Sequence, residues 1–194
     1  MAKLYFKYGS MGSSKTAQAL ITKFNYEERD MNVLLLKPSV DTRDGLTKVK
    51  SRIGLEAEAV VCSTDMNIYD YFKNIKNEHD VIIVDECQFL TEKQVDELDR
   101  IVIEFNVPVL CFGLRTDFLT HMFTGSKRLF ELADSISEIK SICSCGAKAT
   151  VNARIDEKGA VVFEGNQICL GGNDRYISMC MKCWLREKIK QEKI

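Results

Sequence analysis

Three stretches of this chain are apolar at every position, without the alternation of a half-exposed strand: Val33–Leu36, Val81–Val84 and Val107–Phe112. A strand with one wet face alternates polar and apolar residues, whereas a strand apolar throughout is covered on both faces. Between these runs lie segments with a helical period. Ala17, Leu20, Ile21 and Phe24 fall at i, i+3, i+4 and i+7, one stripe of a 3.6-residue repeat. Val95, Leu98, Val102 and Phe105 form a second stripe behind Thr91-Glu92-Lys93-Gln94, a capping box with Gln three residues after Thr. Buried strands alternating with amphipathic helices predict an α/β domain over residues 1–140, with a mostly parallel sheet and helices on both faces. Leu4–Tyr8 reads as its first strand, and Asn67–Asn77 and Ser126–Ala133 as further helices. Ser39–Gly54 reads as a polar, mobile connection after Pro38 has stopped the second strand.

At 194 residues the chain holds one sizeable core and a small appended module. No apolar run approaches the roughly 20 residues that span a bilayer. Met1–Phe6 lacks the apolar stretch and cleavage site of a signal peptide, so a cytoplasmic location is expected. A formal net charge of −1 argues against a nucleic-acid polymer or a membrane surface as partner. It leaves a single nucleotide open, because backbone amides bind phosphate without any global charge. Eight cysteines in a reducing compartment are not structural disulfides. Cys62, Cys87, Cys111 and Cys169 are scattered and read as small core residues.

Gly9-Ser10-Met11-Gly12-Ser13-Ser14-Lys15-Thr16 stands between the first strand and the first helix. It fits the phosphate-loop pattern G-x-x-x-x-G-K-[ST] except that Ser14 replaces the second glycine. Small residues let successive N–H groups turn inward around a phosphate, and the helix N-terminus adds partial positive charge. Lys15 would reach the β- and γ-phosphates, and the Thr16 hydroxyl would hold Mg²⁺. Ser14 occupies a place that calls for glycine's backbone freedom, with Gly12 the neighbour able to supply some of it. Val81–Val84 delivers Asp85 and Glu86 to the same sheet edge. Asp85 would join the Mg²⁺ shell. Glu86, expected to point the other way along the pleat, would act as general base. Cys143-x-Cys145 and Cys180-x-x-Cys183 are separated by 34 residues containing a hairpin turn at Asp156-Glu157-Lys158-Gly159. Four thiolates on two short turns can close around a structural Zn²⁺, leaving no open position for catalysis.

Five blocks in order carry a resemblance to the cytosolic, zinc-containing thymidine kinases over about residues 3–185: Gly9–Thr16, Lys37-Pro38-Ser39-Val40-Asp41-Thr42-Arg43, Asp85-Glu86-Cys87-Gln88-Phe89, Gly113-Leu114-Arg115-Thr116-Asp117-Phe118 and Gly171-Gly172-Asn173-Asp174-Arg175-Tyr176. The resemblance implies a P-loop (RecA-like) fold, with residues 141–194 forming a zinc-binding module that carries a lasso loop. It implies ATP:thymidine 5′-phosphotransfer, with Glu86 accepting the 5′-hydroxyl proton. Gly9, Ser10, Met11, Gly12, Ser13, Ser14, Lys15, Thr16 and Asp85 would handle ATP and Mg²⁺. Asp41 and Arg43 would orient and steady the transferring phosphoryl group, with Gln88 beside them and the nucleoside. Met11, Phe89 and Phe118 would flank the thymine, Gln167, Ile168, Cys169, Leu170 and Gly171 would grip it through backbone groups, and Tyr176 would contact sugar or base. A homotetramer and feedback inhibition by thymidine triphosphate are further implications. Ser14 and Cys87 depart from the family pattern. The rival readings are a kinase for another deoxynucleoside, a phosphate-loop ATPase that works on nucleic acid, against which the weak net charge argues, and a non-catalytic nucleotide-binding relative impaired by Ser14.

Overall fold

The computed structural model describes residues 1–42, 45, 47–167 and 175–192. In chain order its strands are β1 (Leu4–Tyr8), β2 (Val33–Pro38), β3 (Lys48–Lys50), β4 (Glu56–Glu58), β5 (Val60–Cys62), β6 (Val81–Val84), β7 (Val109–Gly113), β8 (Ser135–Glu138), β9 (Ser141–Ile142), β10 (Lys148–Ala149), β11 (Val151–Ile155), β12 (Val161–Val162) and β13 (Tyr176–Met179). The α-helices are α1 (Lys15–Glu27), α2 (Ile68–Ile75), α3 (Glu92–Phe105), α4 (Thr124–Leu132) and α5 (Met181–Gln191).

The unbroken apolar runs form the centre of the main sheet. Among the described residues its order is β5-β2-β6-β7-β1-β8, and every pairing is parallel. Leu34, Leu36, Ile82, Val84, Val109 and Cys111 pack against α2, α3 and α4. Leu35, Val81, Ile83, Leu110 and Phe112 pack on the opposite face with Ala19 and Leu20 of α1. The strands lack polar alternation because helices dry both faces. Cys62, Cys87 and Cys111 are buried, as small core residues should be; Cys169 lies outside the described residues. No helix among the described residues is long and apolar enough to cross a membrane.

The polar connection expected at 39–54 contains more order than its composition indicates. Lys48–Lys50 pairs antiparallel with Glu56–Glu58. Val49 turns inward to join the α1-side core, while Lys48 and Lys50 face Glu56 at 3.4 and 3.8 Å. Three-residue strands with one apolar residue each are too short to show a period. The edge strands β5 and β8 were also illegible, since each is defined by its parallel neighbour.

The C-terminal region builds a second core. Antiparallel strands in the order β12-β11-β13 enclose Val151, Ala153, Val161 and Met179 together with Cys143, Cys180 and Trp184. The turn at Asp156–Gly159 is the expected one, closed by Asp156 N–H to the Ala160 carbonyl at 2.9 Å with Gly159 at φ 80°.

The capping box forms as read. The Thr91 hydroxyl accepts from the Gln94 N–H, and the Gln94 side chain accepts from the Thr91 N–H, both at 3.1 Å. The Gln94 amide also donates to the Ser63 carbonyl at 2.8 Å, tying α3 to the chain ahead of α2. Thr91→Ala should cost about 1 kcal/mol and lower the melting temperature by about 2–4 °C. An unchanged melt would show that α3 is held by packing alone.

Candidate active site

Because β1, β2, β6 and β7 are parallel, their C-terminal ends reach one edge of the sheet, and the segments that follow them meet there. The phosphate loop is stitched to this edge by the Gly9 N–H, which donates to the Gly113 carbonyl at 3.2 Å. A Cβ at Gly9 would lie 2.5 Å from the Ile139 carbonyl oxygen, so only glycine fits. Lys15 is buried and folds back over the loop, its Nζ donating to the Ser10 carbonyl at 2.8 Å and lying 3.4 Å from Ser13 Oγ. Gly12 and Ser14 are both left-handed, at φ 71° and 61°. The position where the motif wants glycine thus adopts glycine's conformation, at a cost of about 1–2 kcal/mol for Ser14. The Ser14 hydroxyl makes no capping bond in return.

Asp85 follows β6, its N–H bonded to the Leu36 carbonyl at 3.0 Å, and is only 3% exposed. Burial pushes its carboxyl up to about 7, with Glu86's charge adding to the rise and the Thr16 hydroxyl and Lys15 ammonium opposing it. Thr16 and Asp85 therefore already touch, as a shared cation shell would require.

Glu86 does not obey the strand pleat. β6 ends at Val84, and Glu86 adopts φ 51°, so its carboxylate lines the same cleft as Asp85 instead of pointing away. Gln88, expected beside ATP and the nucleoside, is tied into the protein next to Glu86. It is 2% exposed, its amide nitrogen donates to Glu86 Oε2, and its amide oxygen accepts from the Leu114 N–H at 2.9 Å. Gln88 is a brace for Glu86. A Cβ on Gly113 would lie 2.6 Å from the Gln88 amide oxygen, which explains that glycine.

The cleft is an open space of ≈ 710 Å³, solvent at its mouth included. It is lined by Met11, Gly12, Ser14, Lys15, Thr16, Asp41, Asp85 and Glu86 together with residues 49–53 of the β3–β4 hairpin. Asp41 is buried beside Lys37, 3.5 Å away. Fully buried Lys37 also donates to the Lys48 carbonyl at 2.8 Å. Arg43 lies outside the described residues. Arg52, which the sequence did not single out, brings a guanidinium nitrogen to 3.6 Å from where a Cβ on Gly12 would stand.

Of the residues expected to border the thymidine, Phe89 meets Phe123 edge-on at 5.6 Å. Phe118 is almost fully buried under the Arg154 guanidinium, 3.7 Å from its ring centroid. Arg154 donates to the Tyr176 hydroxyl at 2.9 and 3.1 Å and to the Asn166 carbonyl at 2.9 Å. The Gln167 amide donates to Asp117 at 3.0 Å. Ile168, Cys169, Leu170 and Gly171 lie outside the described residues. Arg154, Asn152 and Asp117 were missed by the sequence reading, because only tertiary folding brings them to this site.

The cysteine quartet converges. The sulfurs of Cys143, Cys145, Cys180 and Cys183 all lie within 4.8 Å of one another. Cys145 and Cys180 are 3.7 Å apart, close to the edge of a tetrahedron built on bonds of about 2.3 Å. Backbone N–H groups of Cys145 and Cys180 hold the Cys143 thiol down to about 6. The Cys183 N–H likewise lowers Cys180. Such a set suits a zinc ion.

A phosphate loop on a parallel sheet, opposite a buried aspartate and a braced glutamate, defines a nucleotide-binding P-loop protein. The chain belongs to the thymidine kinase family, whose profile, described as "Thymidine kinase", matches residues 2–184. It is 48% identical over 186 residues to the thymidine kinase of Enterobacteria phage T4, covering 95% of this chain and 96% of that protein. It is 46% identical over 189 residues to that of Zymomonas mobilis, covering 96% and 98%. It is 46% identical over 190 residues to that of Streptococcus agalactiae serotype V, covering 97% and 100%.

Two outcomes follow from the loop and the buried acid. Ser14→Gly removes a left-handed side chain without removing a hydrogen bond, so it should tighten ATP binding several-fold in calorimetry; weaker binding would show that the hydroxyl serves the nucleotide. Asp85 has a folded pKa raised from its ordinary 3.8. Its stabilising contribution is therefore full below about pH 4 and is lost as pH rises through about 7. Without nucleotide, Asp85→Asn should gain on the parent in melting temperature between about pH 5 and about pH 8. A constant difference would place Asp85 at an ordinary pKa.

Proposed function

We propose that the chain catalyses transfer of the ATP γ-phosphoryl group to the 5′-hydroxyl of thymidine, giving dTMP and ADP. The observation that carries this reading is the Glu86 carboxylate, braced by Gln88 on the wall of the cleft that Lys15 and Asp85 also line. Loop N–H groups and Lys15 would hold the triphosphate, and the Lys15 charge would stabilise the equatorial oxygens as they separate. Thr16 and Asp85 would hold Mg²⁺, which neutralises phosphate charge when bound. Glu86 takes the 5′-hydroxyl proton as the 5′-oxygen bonds to the γ-phosphorus. The bond from that phosphorus to the bridging oxygen breaks, and ADP leaves with the electron pair. Arg52 supplies cationic charge over the loop, and Arg43 would steady the transferring phosphoryl group.

Residues 1–140 act in this reading as the nucleotide domain. Residues 141–194 form the lasso module, with structural zinc on Cys143, Cys145, Cys180 and Cys183. Met11, Phe89, Phe118, Gln167 and Tyr176 would border the thymidine pocket. A cytoplasmic homotetramer inhibited by thymidine triphosphate completes the proposal.

Labelled ATP with a panel of nucleosides tests the substrate directly. Glu86→Gln should reduce phosphoryl transfer by about two to four orders of magnitude while ATP affinity, read by calorimetry, is retained. Near-full activity in that variant would remove Glu86 from the base role.

A further inference from the structure

We propose that Asn152 is a positioning residue through which the cysteine module holds the phosphate loop and the segment after β7 in register with each other. This deepens the reading above and rests on it only for the identity of the two substrates.

Asn152 lies on β11, in the module, yet both sides of its amide are spent on the nucleotide domain. Its oxygen accepts from the Met11 N–H at 2.7 Å, and its nitrogen donates to the Thr116 carbonyl at 2.7 Å. The side chain is 3% exposed. A buried amide that loses either partner leaves that partner desolvated and unpaired, which costs more than a surface hydrogen bond returns. Asn152 pairs in register with Ser178 on β13, and the Ser178 hydroxyl donates to the Met11 carbonyl. Two neighbouring strands therefore hold both backbone groups of one loop residue.

The consequence for the loop is specific. The Met11 N–H is directed to the module, so the phosphate cradle begins at Gly12. The left-handed turns at Gly12 and Ser14 start from a residue whose backbone the module pins. Two residues along the same strand face, Arg154 covers Phe118 and meets Tyr176, its own register partner on β13. Thr116 leads directly into Asp117 and Phe118. One face of β11 thus sets the distance between the triphosphate cradle and the nucleoside wall, the distance that in-line transfer depends on.

Three variants separate the contacts. Asn152→Leu, close in shape, removes both. Asn152→Asp keeps an acceptor for Met11 but loses the donor to Thr116. Ser178→Ala releases only the Met11 carbonyl, from a partly exposed position where misfolding is not at issue. The readouts are calorimetric affinity for a non-hydrolysable ATP analogue with Mg²⁺, KM for thymidine, and the thermal melt. Asn152→Leu should weaken analogue binding and raise thymidine KM, each about tenfold. Asn152→Asp should raise thymidine KM with a smaller effect on the analogue. Ser178→Ala should weaken the analogue about threefold or more and leave thymidine KM nearly unchanged. Analogue affinity and thymidine KM within about twofold of the parent in Ser178→Ala and in every Asn152 variant that folds would overturn the proposal, whatever the melts show. So would parallel losses of both, scaled only to the drop in melting temperature. The analogue arm needs no thymidine, so a parent that binds ATP but does not phosphorylate thymidine counts against the functional reading alone.

Discussion

Taking a carboxylate out of water costs several kcal/mol unless nearby charge and hydrogen bonds offset it. Asp85 meets that condition at the end of β6. It is almost wholly buried and Glu86's charge lies beside it, while the Thr16 hydroxyl, the Glu86 backbone N–H and the Lys15 ammonium work to keep it ionised, two of them from α1. Those two compensating groups stand at the end of the loop that is also shaped to hold a triphosphate. The parallel sheet makes this possible, because it brings the ends of β1 and β6 to one edge with only β7 between them. The site without nucleotide is thus under electrostatic tension that a phosphate-bound divalent cation would relieve. Beside Asp85, the Gln88 amide nitrogen donates to Glu86 while its amide oxygen accepts from the Leu114 N–H.

The cysteine cluster has a mechanical place in this arrangement. Cys143, Cys145, Cys180 and Cys183 sit at the root of a small sheet whose β11 and β13 reach across to Met11, Thr116 and Phe118. A metal ion there would fix the strands that hold the loop, and none of the four cysteines lines the cleft. The Asn152 and Ser178 side chains, which hold the Met11 backbone, would be the link between the module and the phosphate loop.

What the sequence disclosed was local in the chain. The phosphate loop, the Asp85-Glu86 pair, the cysteine spacing and the Thr91 capping box each occupy a few consecutive residues, so their chemistry shows in their spelling. The β2, β6 and β7 strands were legible because burial on both faces removes polar residues from them. The β3–β4 hairpin was not, since three residues carry too little pattern. The direction of Glu86 was misread because the pleat was carried two residues past the true end of β6, where a left-handed turn intervenes. The burial of Gln88 and its bond to the Leu114 N–H are invisible in the sequence, because they arise only once β7 is beside it. Asn152 and Arg154 look unremarkable in a strand and gain meaning from contacts 141 and 36 residues away.

The central claim is that the carboxylate at position 86 faces the acceptor hydroxyl across from the Lys15 loop. A crystal structure with ADP, Mg²⁺ and thymidine bound measures this directly. The account predicts the 5′-oxygen about 2.6–3.2 Å from a Glu86 carboxylate oxygen, with the β-phosphate inside the loop that begins at Gly12. A 5′-oxygen held instead by Asp85 or Asp41, with Glu86 turned toward Gln88 and out of reach, would contradict it.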